Sequence, residues 1–204
     1  MLKIKYFIQQ SWLLIVSAFM FGLLIAVTNA ALIDRINANN ASKVTDKLQS
    51  LMPSAKEFPK QESITIKSQQ QSDVDVEIYK GVSEGNCQGW AFNATGAGFA
   101  DKITVIVVVD ESFEKMIGFS VLASNETPGF GDRITGSFYR DQFVGAPTDK
   151  LNLTKTGDPD KIDSDIVAIS GATISSEAVV DIINNTMLQL KTKMLEKGMI
   201  QDEQ

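Results

Sequence analysis

From Tyr6 to Ile33 the chain carries no charged residue, and from Trp12 to Ile33 it is almost wholly apolar. A run of that length crosses a bilayer as one helix, because only an internally hydrogen-bonded segment survives in hydrocarbon. It predicts a membrane span over residues 11–33, with Trp12 at one interface. Lys3 and Lys5 precede the run. Positive charge is retained on the cytoplasmic side, so residues 1–10 are expected in the cytoplasm and the rest of the chain outside it. A cleaved signal peptide is the competing reading, with Thr28-Asn29-Ala30 as the cleavage site. The apolar run is longer than a signal core, which favours an uncleaved anchor.

The remaining sequence has room for one compact domain in a chain of 204 residues. Residues 34–73 are polar and read as a juxtamembrane spacer. Within it Val44, Leu48, Leu51 and Met52 mark a short amphipathic helix that stops at Pro53. Gln69-Gln70-Gln71 reads as a solvated loop. Val74, Val76 and Ile78 alternate with polar residues like a half-solvated strand, so the domain is expected over 74–204. A second strand begins at Gly89-Trp90-Ala91-Phe92, and Gly96 to Phe99 is a turn. Ile103 to Val109 is an uninterrupted β-branched run and reads as a buried strand. With Met116–Leu122 next, the short turns predict an antiparallel meander. Leu151 and Leu153 suggest an edge strand. Asp158, Asp160, Asp163 and Asp165 lack the spacing of a calcium loop and read as solvated surface.

Composition narrows the chemistry. The net charge is −6, which argues against a nucleic-acid partner. There is one cysteine and no histidine. That removes internal disulfides, multi-cysteine metal sites and histidine-dependent nucleophilic catalysis, so no metal or catalytic residues are assigned. Redox or group chemistry would have to come from a bound cofactor.

Two turns then stand out. Ile166–Ile169 reads as a short strand, and Val179, Ile183, Met187, Leu190 and Met194 recur at helical spacing behind it. Lys191, Lys193 and Lys197 with Gly198 close that helix. Between strand and helix lies Ser170-Gly171-Ala172-Thr173-Ile174-Ser175-Ser176, a small-residue turn at a helix start, where backbone amides and the helix dipole favour an anion. The plainer reading is a capped helix, with Ser175 or Ser176 as N-cap and Glu177 in the first turn. The second turn is Glu126-Thr127-Pro128-Gly129-Phe130-Gly131-Asp132. Pro then Gly suits a type II turn, and glycines on both sides of Phe130 expose its ring and let backbone approach a ligand.

The run around Ser-Gly-Ala-Thr resembles the flavinylation motif of the FMN-binding domain family, in which a separate flavin transferase esterifies the threonine hydroxyl to the FMN phosphate. The matching position is Thr173. The anchor, Gly89-Trp90 through Gly98, the strand to Leu122 and the Glu-Thr-Pro-Gly-x-Gly-Asp segment together resemble the G subunit of Rnf-type ion-translocating oxidoreductases. The C subunit of the sodium-translocating NADH:quinone reductase is similar, though the short length fits the former better. Two departures are visible: Ser124-Asn125 stand where a histidine is common, and Phe130 replaces an aliphatic residue.

The resemblance implies an α+β fold, with one membrane helix followed by an antiparallel sheet packed on a C-terminal helix. It implies covalent FMN on Thr173, admitted by Gly171 and Ala172. Ser170, Ser175 and Ser176 are then expected near the phosphate, and Glu126 and Thr127 at the flavin's polar edge. The implied role is electron relay on the outer face of a bacterial inner membrane, with the other members of the complex and a flavin transferase as partners. A quinone-reductase flavoprotein and a cofactor-free anchored scaffold are the alternatives.

Overall fold

The computed structural model describes residues 2–68 and 71–200. Gln69 and Gln70 of the expected polar loop lie outside them. The chain divides into two units, one up to Lys43 and one from Val44 onward.

The first unit belongs to a single helix, α1 (Leu2–Leu51), which continues across the division. It is long and apolar enough to cross a membrane. Its large side chains from Trp12 to Ile33, such as Leu14 and Phe19, are exposed. A helix apolar all round has no aqueous surface to present, which suits it to lipid.

The second unit is α+β, as expected. Its centre is an antiparallel sheet in the order β3 (Ile78–Ser83), β4 (Asn86–Ala97), β5 (Lys102–Val109), β6 (Met116–Ala123). Short connections between successive strands make this meander the simple solution. On β5, Val105, Val107 and Val109 face one core, while Ile106 and Val108 face another. A strand covered on both sides cannot alternate with polar residues, which explains the unbroken apolar run.

The first face packs against α3 (Thr173–Glu196), whose Val179, Ile183, Met187 and Leu190 are fully or almost fully buried. Burying each such side chain contributes about 1.5–3 kcal/mol. Gly198 has φ +67, and its amide bonds the Leu195 carbonyl while that of Met199 bonds Met194. This left-handed closure is the glycine stop the sequence indicates.

The second face is covered by Leu48 from the end of α1, with Met52 and Ala55 beyond it. Residues 34–73 therefore differ from the expected spacer. The amphipathic turns at Val44–Leu51 are not a separate helix but the last turns of α1, and the compact unit begins at Val44 rather than near 74. The physical reason is that the sheet has a second apolar face to cover. Farther on, β1 (Ile64–Lys67) pairs antiparallel with β2 (Asp73–Val76). This hairpin is tied to α3: the Lys67 carbonyl accepts from Asn185 Nδ2 (3.0 Å) and Gln189 Nε2 (2.7 Å). The single strand expected at Val74–Ile78 is thus two, since β2 and β3 belong to different sheets.

Between β6 and α3 run a 3-10 turn (Gly131–Thr135), a one-turn helix α2 (Ser137–Arg140) and a second 3-10 turn (Asp141–Phe143). A short parallel pair follows, β7 (Asn152–Thr154) with β8 (Asp165–Val167). Gln142 holds β8 from the side, its Oε1 accepting from Val167 N at 2.7 Å and its Nε2 donating to Val167 O at 3.2 Å. Asn184 of α3 likewise bonds both backbone groups of Leu151. These amide clamps fix where β8 ends and hence where the turn into α3 begins.

Candidate functional site

That turn is tight. Ala172 N donates to Ile169 O at 2.9 Å, with Gly171 at φ +81 in the third position. A type II turn needs positive φ there, which glycine adopts without strain. The N-cap of α3 is consequently Ala172, and no side chain caps the helix. This corrects the capped-helix reading: Ser175 and Ser176 sit inside the helix and are buried. Ser176 Oγ accepts from Ile169 N (3.1 Å) and donates to Ala172 O (3.0 Å), stitching the turn shut from beneath. The Tyr139 hydroxyl donates to Ser176 O at 2.8 Å, and burial pushes its pKa far up. Ser175 Oγ donates to Glu126 Oε2 at 2.6 Å. Of the three hydroxyls in the first turn of α3, those of Thr173, Ser175 and Ser176, Thr173's alone has no hydrogen-bond partner among the described residues. It is half-buried at the first helical position.

The second turn faces the first. Phe130 N donates to Thr127 O at 3.2 Å, and Gly129 has φ +79, so Pro128-Gly129 forms the expected turn. The Phe130 ring is 59 % exposed and its edge would come within 3.7 Å of a Cβ placed on Gly171. Arg133 Nη1 donates to Ser170 O at 3.1 Å and ties the two turns together.

Between them lies a cleft of about 460 Å³, with Phe99, Thr127, Phe130 and Gly131 on one side and Gly171 to Ser175 on the other. Its size falls in the range of small-molecule sites. The structure thus brings Gly171, Ala172, Thr173, Ser175 and Thr127 to one cavity. Ser170, Ser176 and Glu126 do not line it. Glu126 is buried behind it, with Oε1 accepting from Ala100 N at 3.0 Å. Sequence reading missed two lining residues, Phe99 and Ile174, and the Arg133 tie between the turns. The Gly96-x-Gly98 pair was the available signal for Phe99: Gly96 and Ala97 extend β4, and the turn itself is Gly98 to Asp101, closed by Gly98 N on Asp101 O at 2.8 Å.

No lining residue is an acid or a base. The cleft therefore has no general acid–base pair for turning over a substrate. What it offers is uncapped helix amides for an anion, a free hydroxyl beside them and exposed aromatic rings for a flat apolar group.

Comparisons with known proteins agree with that chemistry. The FMN-binding domain model matches residues 98–187, which span both turns and most of α3. The chain is 32 % identical over 171 residues to the G subunit of the ion-translocating oxidoreductase complex of Methanosarcina acetivorans, covering 80 % of this chain and 84 % of that protein. It is 29 % identical over 168 residues to the G subunit of the Na(+)-translocating ferredoxin:NAD(+) oxidoreductase complex of Acetobacterium woodii, covering 78 % and 80 %. Among solved structures, NqrC of Shewanella oneidensis superimposes with a TM-score of 0.57 at 22 % identity, over 71 % of this chain and 73 % of that one. The C subunit of the Na(+)-translocating NADH-quinone reductase from Parabacteroides distasonis gives 0.55 at 17 % identity, over 77 % and 95 %. At those identities the structural likeness speaks for the fold.

Proposed function

The chain belongs to the G-subunit family of ion-translocating oxidoreductase complexes, and on that premise we propose that it is the complex's electron-relay component, holding FMN by a phosphoester to Thr173. The observation that carries the attachment site is the hydroxyl inventory at the start of α3. Ser175 and Ser176 are committed to buried hydrogen bonds, and Thr173 is free beside uncapped amides. A phosphodiester there keeps one negative charge, which the helix end stabilises by about 0.3–1 kcal/mol.

FMN, when bound, supplies one- and two-electron chemistry. The chain's own residues bind and orient it. Gly171 and Ala172 keep side chains out of the phosphate's path, Arg133 holds Ser170 and the turn in place, and Thr127, Phe99 and Phe130 line the far wall. Attachment is the work of a flavin transferase. Thr173 would supply the Oγ1 that is esterified, its proton passing to the phosphate released when the anhydride bond of the flavin donor is broken.

Identities of 29–32 % to the G-subunit proteins, against 17–22 % to the quinone-reductase structures, favour the former reading over the latter. Lys3 and Lys5 ahead of the apolar run support a cytoplasmic N-terminus and a flavin site on the outer side of the inner membrane. A membrane-impermeant thiol reagent should then reach Cys87 in intact spheroplasts, with detergent-treated membranes as control. Labelling only in inverted vesicles would reverse that topology.

The relay is tested in native membranes by stopped-flow absorbance. The wild-type flavin should be reduced when the whole complex receives its donor, while the isolated domain shows no substrate-dependent turnover. A Thr173→Ala complex that still reduces its acceptor at the wild-type rate would take this flavin off the electron path.

A further inference from the structure

We infer that Glu126 is a positioning residue that selects Thr173 for modification, by engaging the Ser175 hydroxyl at the cleft wall and fixing the rotation of the first turn of α3; this rests on the attachment reading above. Glu126 is 5 % exposed, deep for a carboxylate. Its Oε2 accepts from Ser175 Oγ at 2.6 Å and its Oε1 from the Ala100 amide at 3.0 Å. Two glycines wall it in. A Cβ on Gly98 would lie 2.4 Å from Oε1, and one on Gly131 would lie 2.6 Å from Oε2 and 2.7 Å from Ser175 Oγ. Both glycines leave room that the carboxylate fills, so its place is set from both sides.

One side chain thereby joins three segments that are distant in sequence: the Gly98–Asp101 turn carrying Phe99, the turn carrying Phe130, and the start of α3. Two residues apart on a helix, Thr173 and Ser175 point about 200° apart. Holding Ser175 inward on Glu126 turns the Thr173 hydroxyl outward. It also occupies the Ser175 hydroxyl, the nearest chemical competitor in the cleft.

The test uses the full-length protein co-expressed with its flavin transferase. Attached flavin per chain is followed over time by intact mass, and the modified residue is located by peptide mapping. Glu126→Gln retains an acceptor for Ala100 and a donor for Ser175 Oγ, so it should be flavinylated on Thr173 within about twofold of the wild-type rate. Glu126→Ala releases Ser175 and leaves Ala100 unpaired. It should be slower by about tenfold or more, with flavin divided between Thr173 and Ser175. Modification of Glu126→Ala on Thr173 alone at the wild-type rate would overturn the inference. So would a Glu126→Gln protein as slow as Glu126→Ala, since hydrogen-bond geometry would then not be the cause. If Glu126→Ala fails to fold, Ser175→Ala breaks the same bond from the other end. It should keep its flavin on Thr173 but acquire it several-fold more slowly, and an unchanged rate would overturn the inference. Thr173→Ala in the same assay separates the two readings. Full flavin on that variant sinks the attachment site itself, whereas no flavin there with wild-type behaviour of Glu126→Ala sinks only the role of Glu126.

Discussion

At the scale of single residues, Phe130 is placed to act on the flavin without holding it. Its ring is exposed at the cleft rim beside Gly171, across from Thr173. Phe130→Ala should keep full covalent flavin while changing its midpoint potential or its rate of reduction, read by redox titration and stopped flow. Loss of the flavin on this variant would make Phe130 an anchor instead. The turns at Gly171 and at Pro128-Gly129 were legible in the sequence because each closes within four residues. Glu126 was singled out in the sequence for the flavin's polar edge, but its buried bridge was not legible, because its partners Ala100 and Ser175 lie 26 and 49 residues away. The helix cap was misjudged for a related reason. Two serines near a helix start satisfy the capping preference, but the Ile169–Ala172 turn starts the helix ahead of them and carries both serines into it.

At the scale of elements, β5 and α3 could be read because their apolar patterns are long and unambiguous. The hairpin of β1 and β2 was hidden in a polar stretch, four residues to a strand, and it is held by its buried Ile64, Ile66 and Val76 together with the side-chain bonds from α3. The short helical turns from Gly131 to Phe143 likewise depend on packing against β6, with Phe119, Tyr139 and Phe143 rings meeting edge to face. The edge at β3 carries a pH-sensitive contact. The Tyr79 hydroxyl donates to Glu77 Oε2 at 3.0 Å, and Glu77 also pairs with Lys60 of the segment bridged to this strand. Burial first, and then the Glu77 carboxylate, push the Tyr79 pKa from 10.0 up to about 12. The folded protein thus holds this proton more tightly than the unfolded chain. The resulting stability is complete below pH 10 and is lost as pH rises towards about 12. The melting temperature should fall across that window, and less steeply in Tyr79→Phe. Tyr139, also shifted upward by burial, keeps its own alkaline loss in both proteins. Equal slopes in wild type and Tyr79→Phe would show that Tyr79 does not carry the effect.

At the scale of the whole molecule, a long helix with an apolar run and an α+β domain are what the chain brings to the redox complex its family belongs to. The long apolar helix was the most legible feature of all, since an uncharged run of that length has few other ways to fold. The start of the folded unit was the least legible, because Val44–Met52 satisfies a helical pattern equally well as a free amphipathic turn or as the cover of a sheet's second face. The relay reading and the role of Glu126 depend on one bond, between Thr173 and the FMN phosphate. Intact mass spectrometry of the protein from its native membrane, with in-gel flavin fluorescence after denaturing electrophoresis, tests that bond. The wild type should carry the mass of one FMN less one water, located on the peptide containing Thr173, and Thr173→Ala should carry neither the mass nor the fluorescence. Undiminished fluorescence and the same added mass on Thr173→Ala would contradict the account.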